Sequence, residues 1–408
     1  MITLIEALNF RCLRYISQPL GDFRVLVGPN ASGKTTFLDV VAFLGRLVSE
    51  GLEDAIAERT QNFQDLVWAR SGDSFELAIE LRIPADLQAL LGENRFDTVR
   101  YEVAVAELEL RSERAFLKTS ERHFIRRESF PQSVTPPRTL IAQLKGQETR
   151  TIIDKIPGGS DNLYSETSKG KGLSFRLGPR KSALGNLPED ESTFPVATWL
   201  KSTLTRGIQQ VILNSLLMRK ASPPIKARIF EPDGSNLPWV IADLERTAPE
   251  QLAMWVAHLQ TALPELEGIR TIEREDDRHR YLVLRYQGGF EVPSWMASDG
   301  TLRMLALTLP AYLPSFKGIT LIEEPENGIH PRAVQTMFQS LSSVYDAQVL
   351  MATHSPVVLS VVDPKELLCF AKTEEGATDI VLGAGHPALQ EWRRETNLGV
   401  LFAAGVLG

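Results

Sequence analysis

The stretch FRVLVGPNASGKTTFLDVVAFLGRLV, residues 23–48, predicts how the chain begins its fold. A short apolar run, residues 23–27, is a candidate buried strand, and a loop containing two glycines follows it. Beyond the loop, apolar residues recur at the spacing of an amphipathic helix: Phe37, Leu38, Val41, Leu44 and Val48. The order of strand, glycine loop and helix predicts the first unit of an α/β fold.

The loop itself fits the pattern G-x-x-x-x-G-K-[ST] from Gly28 to Thr35. Glycines allow successive backbone N–H groups to curl around phosphate oxygens, and the start of the helix adds its dipole. Lys34 would bring a positive charge to the β- and γ-phosphates, and the Thr35 hydroxyl would bind Mg²⁺. The pattern therefore predicts a site for ATP and Mg²⁺.

A second stretch, LIEEPENGIHP at 321–331, places two carboxylates directly after an apolar strand. Adjacent negative charges repel, so we expect a cation opposite Glu323 and Glu324, and the magnesium–phosphate cluster is the candidate. Glu323 would reach Mg²⁺ directly or through water, and Glu324 would orient the attacking water. The alternative is an acidic pair that is merely solvated at a strand end.

Two further segments fit the same site. VLMATHSP, residues 349–356, predicts a strand that ends at His354, whose imidazole can hydrogen-bond a γ-phosphate or the attacking water. Ser298 to Thr301 opens an apolar helix and offers a second anion-binding helix start. Taken alone, the histidine would be structural and the helix start an ordinary cap.

In this order the segments resemble the head of an ABC-type ATPase of the RecF/SMC-like branch, and more narrowly the ATPase domain of OLD-family (overcoming lysogenization defect) proteins. GPNASGKTT resembles Walker A, SDGT the signature motif, LIEEPE Walker B, NGIHP the D-loop and THSP the switch-histidine motif. The implied fold is α/β: a mixed sheet with a P-loop helix, two lobes, and a large α+β insertion between Walker A and the signature.

The resemblance implies a role for each matching residue. ATP would contact Arg11, Gly28, Asn30, Gly33, Lys34, Thr35 and Thr36, while Thr35 and Glu323 would hold Mg²⁺ and Glu324 and His354 would act in catalysis. Ser298 and Gly300 would reach the γ-phosphate of the opposite subunit, which implies an ATP-dependent homodimer. Glu323 stands where most ABC proteins have aspartate, Asp299 replaces the first signature glycine, and the Q-loop glutamine is either Gln61 or Gln64.

More than half of the chain separates Lys34 from Ser298, and we expect three segments: a first ATPase lobe at 1–110, an inserted α/β lobe at 111–290 and a second ATPase lobe at 291–408. The local pattern predicts a strand at 101–110, helices near 195–218 and 249–262, a hairpin at 282–292 and a helix at 398–407. The last helix would cover the core or dock a partner. Only 54 residues follow His354, too few for a Toprim nuclease domain, so the resemblance implies that any nuclease acts in trans.

Composition narrows the class further. The chain has a net charge of −7, two cysteines and no apolar run of about 20 residues, so we expect a cytoplasmic protein without a disulfide framework or a membrane partner. Residues 111–181 nevertheless hold fifteen Lys and Arg against seven Asp and Glu, a net charge of +8. This stretch is either a DNA-contacting surface or an ordinary solvated face.

Two functions remain from this pattern. The first is an ATP-driven switch that gates a partner effector, a nuclease or toxin of bacterial anti-phage defence. The second is a RecF-like DNA-binding ATPase of repair and recombination. A transporter motor fits less well because no membrane-coupling segment is visible, and a scaffold without turnover fits less well because Glu324 and His354 are both present.

Overall fold

A computed structural model describes residues 1–92, 96–120, 129–143, 148–167, 171–224, 229–314, 316–390 and 398–407. The strands are β1 (Ile2–Phe10), β2 (Leu13–Pro19), β3 (Phe23–Val27), β4 (Ser74–Arg82), β5 (Thr98–Ala106), β6 (Glu109–Lys118), β7 (Arg150–Lys155), β8 (Asp161–Leu163), β9 (Leu173–Phe175), β10 (Ile208–Val211), β11 (Leu266–Glu273), β12 (Arg280–Tyr286), β13 (Phe290–Pro293), β14 (Gly318–Glu323), β15 (Ala347–Ala352), β16 (Leu367–Lys372) and β17 (Thr378–Leu382). The helices are α1 (Lys34–Ser49), α2 (Leu52–Ala57), α3 (Ala85–Leu90), α4 (Pro195–Arg206), α5 (Ser215–Met218), α6 (Leu237–Thr247), α7 (Pro249–Gln260), α8 (Asp299–Thr308), α9 (Pro331–Ser342), α10 (Pro356–Val361), α11 (Pro387–Gln390) and α12 (Leu398–Ala403).

The chain forms two compact units. Unit 1 comprises residues 1–208, 364–393 and 405–408, and unit 2 comprises 209–363 and 394–404. The predicted division into segments 1–110, 111–290 and 291–408 stays a prediction. Among the described residues, no helix is long and apolar enough to span a membrane.

Unit 1 contains a large antiparallel sheet in the order β2-β1-β4-β5-β6-β7-β8-β9. Strand β5 is buried along its whole length, as expected for a strand in the interior of a sheet. A second strand group in this unit consists of β3, which pairs in parallel with β16, and β17, which pairs antiparallel with β16. Burial raises the pKa of the Cys369 thiol on β16 well above its ordinary value, so this cysteine is a neutral core residue.

Helix α1 is the P-loop helix of unit 1, and it is buried on more than one side. Phe43 on α1 packs against Phe10 of β1 and Phe75 of β4, with ring centroids 5.8 and 5.5 Å away. On another side, Phe37 packs against Phe370 of β16 at 5.6 Å. Aromatic packing of this kind stabilises by area and by ring geometry. The helix that begins at the glycine loop is therefore held by both strand groups of unit 1.

Unit 2 contains a parallel pair, β14 and β15, in which Glu323 lies opposite Ala352. It also contains a three-stranded antiparallel sheet, β11-β12-β13. Helix α9 follows β14, with His330 accepting a hydrogen bond from the Arg332 N–H as its N-cap and Pro331 in the first turn. Parallel strands joined by a helix place both strand ends at one edge, which is where the two predicted catalytic residues lie.

Several predicted elements are confirmed, two are wrong and one is shorter than predicted. Strand β3, helix α7 and the β12–β13 hairpin lie where the pattern placed them. The strand predicted at 101–110 is instead a tight hairpin, because Glu107 and Leu108 adopt left-handed conformations between β5 and β6. The helix predicted at 195–218 ends at Arg206, where Gly207 leads into β10 and then α5. Helix α12 is shorter than the predicted 398–407 and ends at Ala403.

Candidate nucleotide-binding site

The phosphate loop of unit 1 is shaped by its glycines and by β17. Gly33 is the N-cap of α1 at φ 103, a conformation that L-residues with side chains rarely adopt. A Cβ at Gly33 would also overlap the Thr378 hydroxyl, which donates to the Ser32 carbonyl at 2.9 Å. A Cβ at Gly28 would overlap the Phe370 carbonyl of β16. Both glycines are therefore required by space as well as by conformation.

Lys34 points back across the loop. Its side chain is largely buried, and Nζ donates to the carbonyls of Gly28 at 2.8 Å and Pro29 at 2.9 Å. Asn30 and Thr35 are exposed beside it, and Thr36 is half-buried. The buried Ser32 hydroxyl has no hydrogen-bond partner among the described residues. A buried polar atom of this kind is costly unless a ligand or water satisfies it, so the loop fits a phosphate-bearing molecule.

Arg11 lies in the turn between β1 and β2, at φ 52. Its Nη1 contacts Asp39 Oδ2 of α1 at 3.0 Å, and the same carboxylate accepts from Arg59 Nε at 2.7 Å. The neighbouring Cys12 Sγ donates to the Thr36 hydroxyl at 3.3 Å. The turn therefore lies beside the phosphate loop, as the resemblance implies. The Arg11 guanidinium has a carboxylate partner here, and its contact with phosphate stays a prediction.

The two candidate Q-loop glutamines differ in environment. Gln61 is exposed, whereas Gln64 lies in a 3₁₀ turn, Phe63–Leu66, and its Oε1 is buried without a hydrogen-bond partner among the described residues. The 3₁₀ turn is tied to the Arg11 turn by a hydrogen bond from Arg11 N to Leu66 O at 2.9 Å. A buried, unsatisfied carboxamide oxygen is suited to a metal or water ligand. Which of the two is the Q-loop glutamine stays a prediction, and the environment of Gln64 is the reason to test it first.

The acidic turn of unit 2 begins where β14 ends. Glu323 is the exposed last residue of the strand, and Glu324 follows in the left-handed region at φ 45. The Glu324 N–H donates to the Ala352 carbonyl of β15 at 2.8 Å, and its Oε2 accepts from Asn327 Nδ2 at 2.5 Å. A glutamate in this conformation costs on the order of 1 kcal/mol and is found most often where function requires it.

The structure brings Glu324 and His354 together. His354 Nε2 lies 4.0 Å from Glu324 Oε1, at the end of the neighbouring strand β15. The Phe402 ring of α12 lies 6.2 Å from the imidazole, centroid to centroid. A separation of 4.0 Å is longer than a hydrogen bond, and both groups are well placed to share a water or a phosphate oxygen.

The predicted signature segment begins helix α8 of unit 2. The Ser298 hydroxyl accepts from Thr301 N at 3.1 Å and so caps the helix. Asp299 pairs with Arg219 at 2.6 Å, and Arg219 also donates to the Ala297 carbonyl at 3.1 Å. The Arg219 contacts fix the turn that leads into the helix.

Gly300 is the point where this helix start meets the D-loop of the same unit. A Cβ added at Gly300 would lie 2.6 Å from the Gly328 carbonyl oxygen. Only glycine allows this approach without a shift of backbone. Gly300 therefore has a packing reason to be glycine, in addition to the phosphate contact that the resemblance implies.

Several contacting residues were not singled out by the sequence pattern: Ser32, Asp39, Arg219, Glu326 and Asn327. Glu326 and Asn327 stand inside the quoted acidic stretch, so their chemistry was visible in principle. Arg219 carried no signal, because it lies far from Asp299 in the sequence.

In the described part of the chain, no cluster of three or more His, Cys, Asp or Glu could hold a metal by protein side chains alone. Mg²⁺ needs no such cluster, because it keeps several waters and takes phosphate oxygens as ligands. The metal contacts predicted for Thr35 and Glu323 stay predictions.

The charge of the basic stretch, residues 111–181, is partly neutralised by carboxylates of unit 1. Five of its cations pair with carboxylates: Arg111 with Glu109, Arg114 with Asp154, Lys118 with Glu80, Lys155 with Asp161, and Arg180 with Glu53. Residues 121–128, 144–147 and 168–170 of the stretch lie outside the described residues. Three of the partners, Glu53, Glu80 and Glu109, lie outside residues 111–181 and are not counted in the net charge of +8, which therefore overstates the cations that are available to a nucleic acid.

The glycine loop with its helix, the acidic strand end and the histidine strand end define a P-loop ATPase of mixed α/β fold. A family model described as "AAA domain, putative AbiEii toxin, Type IV TA system" matches residues 23–360, and the chain belongs to that family. No curated protein matches the chain.

Solved structures extend the likeness in fold. An Smc head bound to the C-winged helix domain of ScpA is 15% identical, with a TM-score of 0.53 over 93% of this chain and 97% of that one. An Smc head with an extended coiled coil, bound to the C-terminal domain of ScpA derived from Pyrococcus furiosus, is 12% identical, with a TM-score of 0.50 over 93% and 95%. At these identities the likeness establishes the fold alone, and it confirms the predicted ABC-type head.

Proposed function

We propose that this protein is an ATP-hydrolysing switch in which two copies close around ATP and reopen after hydrolysis. The observation that carries the proposal is the pairing of Glu324 and His354 at 4.0 Å at the carboxyl ends of adjacent parallel strands. A chain that only bound nucleotide would need the phosphate loop but not this pair. Membership of an AAA-type family supports nucleotide chemistry in general.

In the proposed reaction, phosphate oxygens replace the Gly28 and Pro29 carbonyls as partners of Lys34. Thr35, Gln64 and Glu323 would hold Mg²⁺, which supplies neutralisation of charge on the phosphates when bound. Glu324 orients a water and accepts its proton as the oxygen attacks the γ-phosphorus and the bond to ADP breaks. His354 donates a hydrogen bond to the γ-phosphate, and Ser298 of a second copy completes the site.

The experiment that tests this proposal is Glu324→Gln. The amide keeps the size of the side chain but cannot take up a proton, so turnover should fall by about a thousandfold while ATP binding remains. Light scattering with ATP should show a dimer that persists, because the closed state no longer hydrolyses its ligand. A variant that stays monomeric with ATP at micromolar concentration would contradict the composite site.

We further propose that the switch gates a partner protein, a nuclease or toxin acting in trans in bacterial anti-phage defence. The family description names a toxin of a type IV toxin–antitoxin system, and the similar Smc heads are bound to domains of ScpA. Co-purification from the native host with Glu324→Gln, with and without ATP, should enrich one partner in one nucleotide state. Equal recovery in both states would contradict gating by ATP.

The alternative is a RecF-like DNA-binding ATPase, and the residual charge of the basic stretch favours it. Arg138, Lys171, Arg176 and Lys181 are exposed and have no carboxylate partner among the described residues. If DNA binds there, affinity should fall steeply with salt, and the triple variant Lys171→Ala, Arg176→Ala, Lys181→Ala should flatten that dependence. Lys372→Ala, an exposed lysine outside the stretch, is the control.

A further inference from the structure

The Glu326 carboxylate connects the acidic turn to the histidine turn of unit 2. Its Oε1 accepts from the Thr353 hydroxyl at 2.6 Å and from the His354 backbone N–H at 3.1 Å. Its Oε2 is buried and has no hydrogen-bond partner among the described residues. A carboxylate in such a place is costly unless its hydrogen bonds serve the structure around it.

These hydrogen bonds set the path of the chain where β15 ends. Thr353 is fully buried, and its hydroxyl also accepts from the Ser355 N–H at 2.9 Å. Glu326, Thr353 and Ser355 therefore form a continuous chain of hydrogen bonds around the backbone of His354. The direction in which the imidazole leaves the strand depends on this chain.

The same turn fixes Glu324. The Glu324 backbone is tied to Ala352, and Asn327 holds the Glu324 carboxylate. Glu326 lies between Glu324 and Asn327 in the sequence. The hydrogen bond that it accepts from the His354 N–H therefore links the turn that holds Glu324 to the turn that holds His354. A displacement of about 1 Å in such an arrangement is enough to lower turnover strongly.

We propose that Glu326 is a positioning residue: its carboxylate fixes the distance between Glu324 and His354. The role rests on the proposed function, because it acts through the two residues assigned to hydrolysis. Glu326 itself touches neither ATP nor the attacking water in this assignment.

The first test is Glu326→Ala, with Glu326→Gln as the conservative variant. Loss of the acceptor should lower kcat by about tenfold to a hundredfold, the range seen when residues that orient catalytic groups are removed. The KM for ATP should stay within about threefold, because the phosphate loop is unchanged. The Gln variant retains an oxygen that can accept both hydrogen bonds, so it should recover most of the lost kcat. Glu245→Ala, an exposed glutamate on α6 of the same unit, is the matched control.

A double-variant cycle separates positioning from a general loss of stability. If Glu326 acts through His354, adding Glu326→Ala to His354→Ala should lower kcat little further, because the residue that it positions is already gone. Additive losses would overturn the proposal, as would an unchanged kcat in Glu326→Ala. If that variant fails to fold, Thr353→Val removes one of the two hydrogen bonds that Glu326 accepts, together with the bond that Thr353 accepts from Ser355, and should lower kcat by several fold.

The failure of this proposal is distinguishable from that of the proposed function. A wild-type protein that hydrolyses ATP while Glu326→Ala does so equally well contradicts only the role of Glu326. A wild-type protein with bound ATP and no turnover removes the hydrolytic function, and the positioning role with it.

Discussion

The phosphate loop of unit 1 and the acidic turn of unit 2 reach defined shapes by different means. The loop depends on having no side chain at Gly28 and Gly33, because the Phe370 carbonyl and the Thr378 hydroxyl approach these two positions closely. The turn is shaped by side chains that are present, because Glu326 and Asn327 supply hydrogen bonds that fix their neighbours. A loop built from backbone tolerates no added atoms, whereas a turn built from side chains loses its geometry when one acceptor is removed.

The largest expected effect comes from a substitution in the phosphate loop. Lys34→Ala removes the ammonium group that lies across the phosphate loop and bonds the Gly28 and Pro29 carbonyls. ATP affinity should therefore fall by about a hundredfold or more. Calorimetry with ATP measures the change. Lys372→Ala, on β16 of the same unit, is the control and should bind ATP as the wild type does. Retained affinity in Lys34→Ala would mean that the nucleotide site lies elsewhere.

The next prediction concerns Glu166, a buried carboxylate of unit 1 that accepts hydrogen bonds from backbone N–H groups, as Glu326 does in unit 2. Glu166 accepts from the N–H groups of Val196 and Ala197 at 2.6 and 2.9 Å and so caps α4. Burial raises its pKa to about 7, although the two hydrogen bonds oppose the shift. Because the folded pKa lies above the unfolded one, the stabilisation is present below pH about 4.5 and is lost as pH rises through about 7.

The measurement is thermal or urea unfolding of the wild type and Glu166→Gln between pH 5 and pH 8. The wild type should lose about 2 kcal/mol relative to the variant over this interval, because the amide does not titrate. Parallel curves for the two proteins would show that Glu166 does not titrate in this range.

The smallest expected effect compares two glutamines three residues apart. Gln64→Ala removes the buried carboxamide oxygen and should lower Mg²⁺-dependent ATP turnover by about tenfold, as expected for loss of a residue that orients a metal or its water. Gln61→Ala, at an exposed position, should leave turnover unchanged. Titrating Mg²⁺ in both variants identifies the defect. Equal behaviour of the two variants would contradict the assignment of Gln64.

The sequence predicted the loop better than the turn, for a physical reason. A glycine loop between a strand and a helix requires particular residues at particular spacings, so β3, the loop and α1 were all visible in one stretch. The strand ends β14 and β15 were visible as well, since apolar runs stop at Glu323 and His354. The contacts that align those ends depend on pairing between segments remote in the chain, and spacing does not encode them.

The same dependence on pairing between remote segments explains what the sequence-based predictions missed. The prediction of one helix over 195–218 followed apolar spacing alone and missed that Gly207 ends α4 and that β-branched residues follow in β10. The charge count over 111–181 left a DNA-contacting surface and a solvated face open, and it could not show which cations are paired. Arg114 and Lys155 pair with acids on adjacent strands, and Lys118 on β6 pairs with Glu80 on β4, two strands away. Cross-strand pairing decides whether a charge is available, and it requires the sheet order to be known.

The contact between Gly300 and the Gly328 carbonyl has a consequence for cooperativity. In the proposed dimer, the helix start at Gly300 faces the ATP held by the other copy, while the turn at Gly328 follows the glutamate that serves the copy's own ATP. Since a single methyl group would not fit between them, a shift of the helix start toward the turn would require the turn to move as well. In the proposed dimer we therefore expect a bulkier residue at position 300 to alter both nucleotide sites.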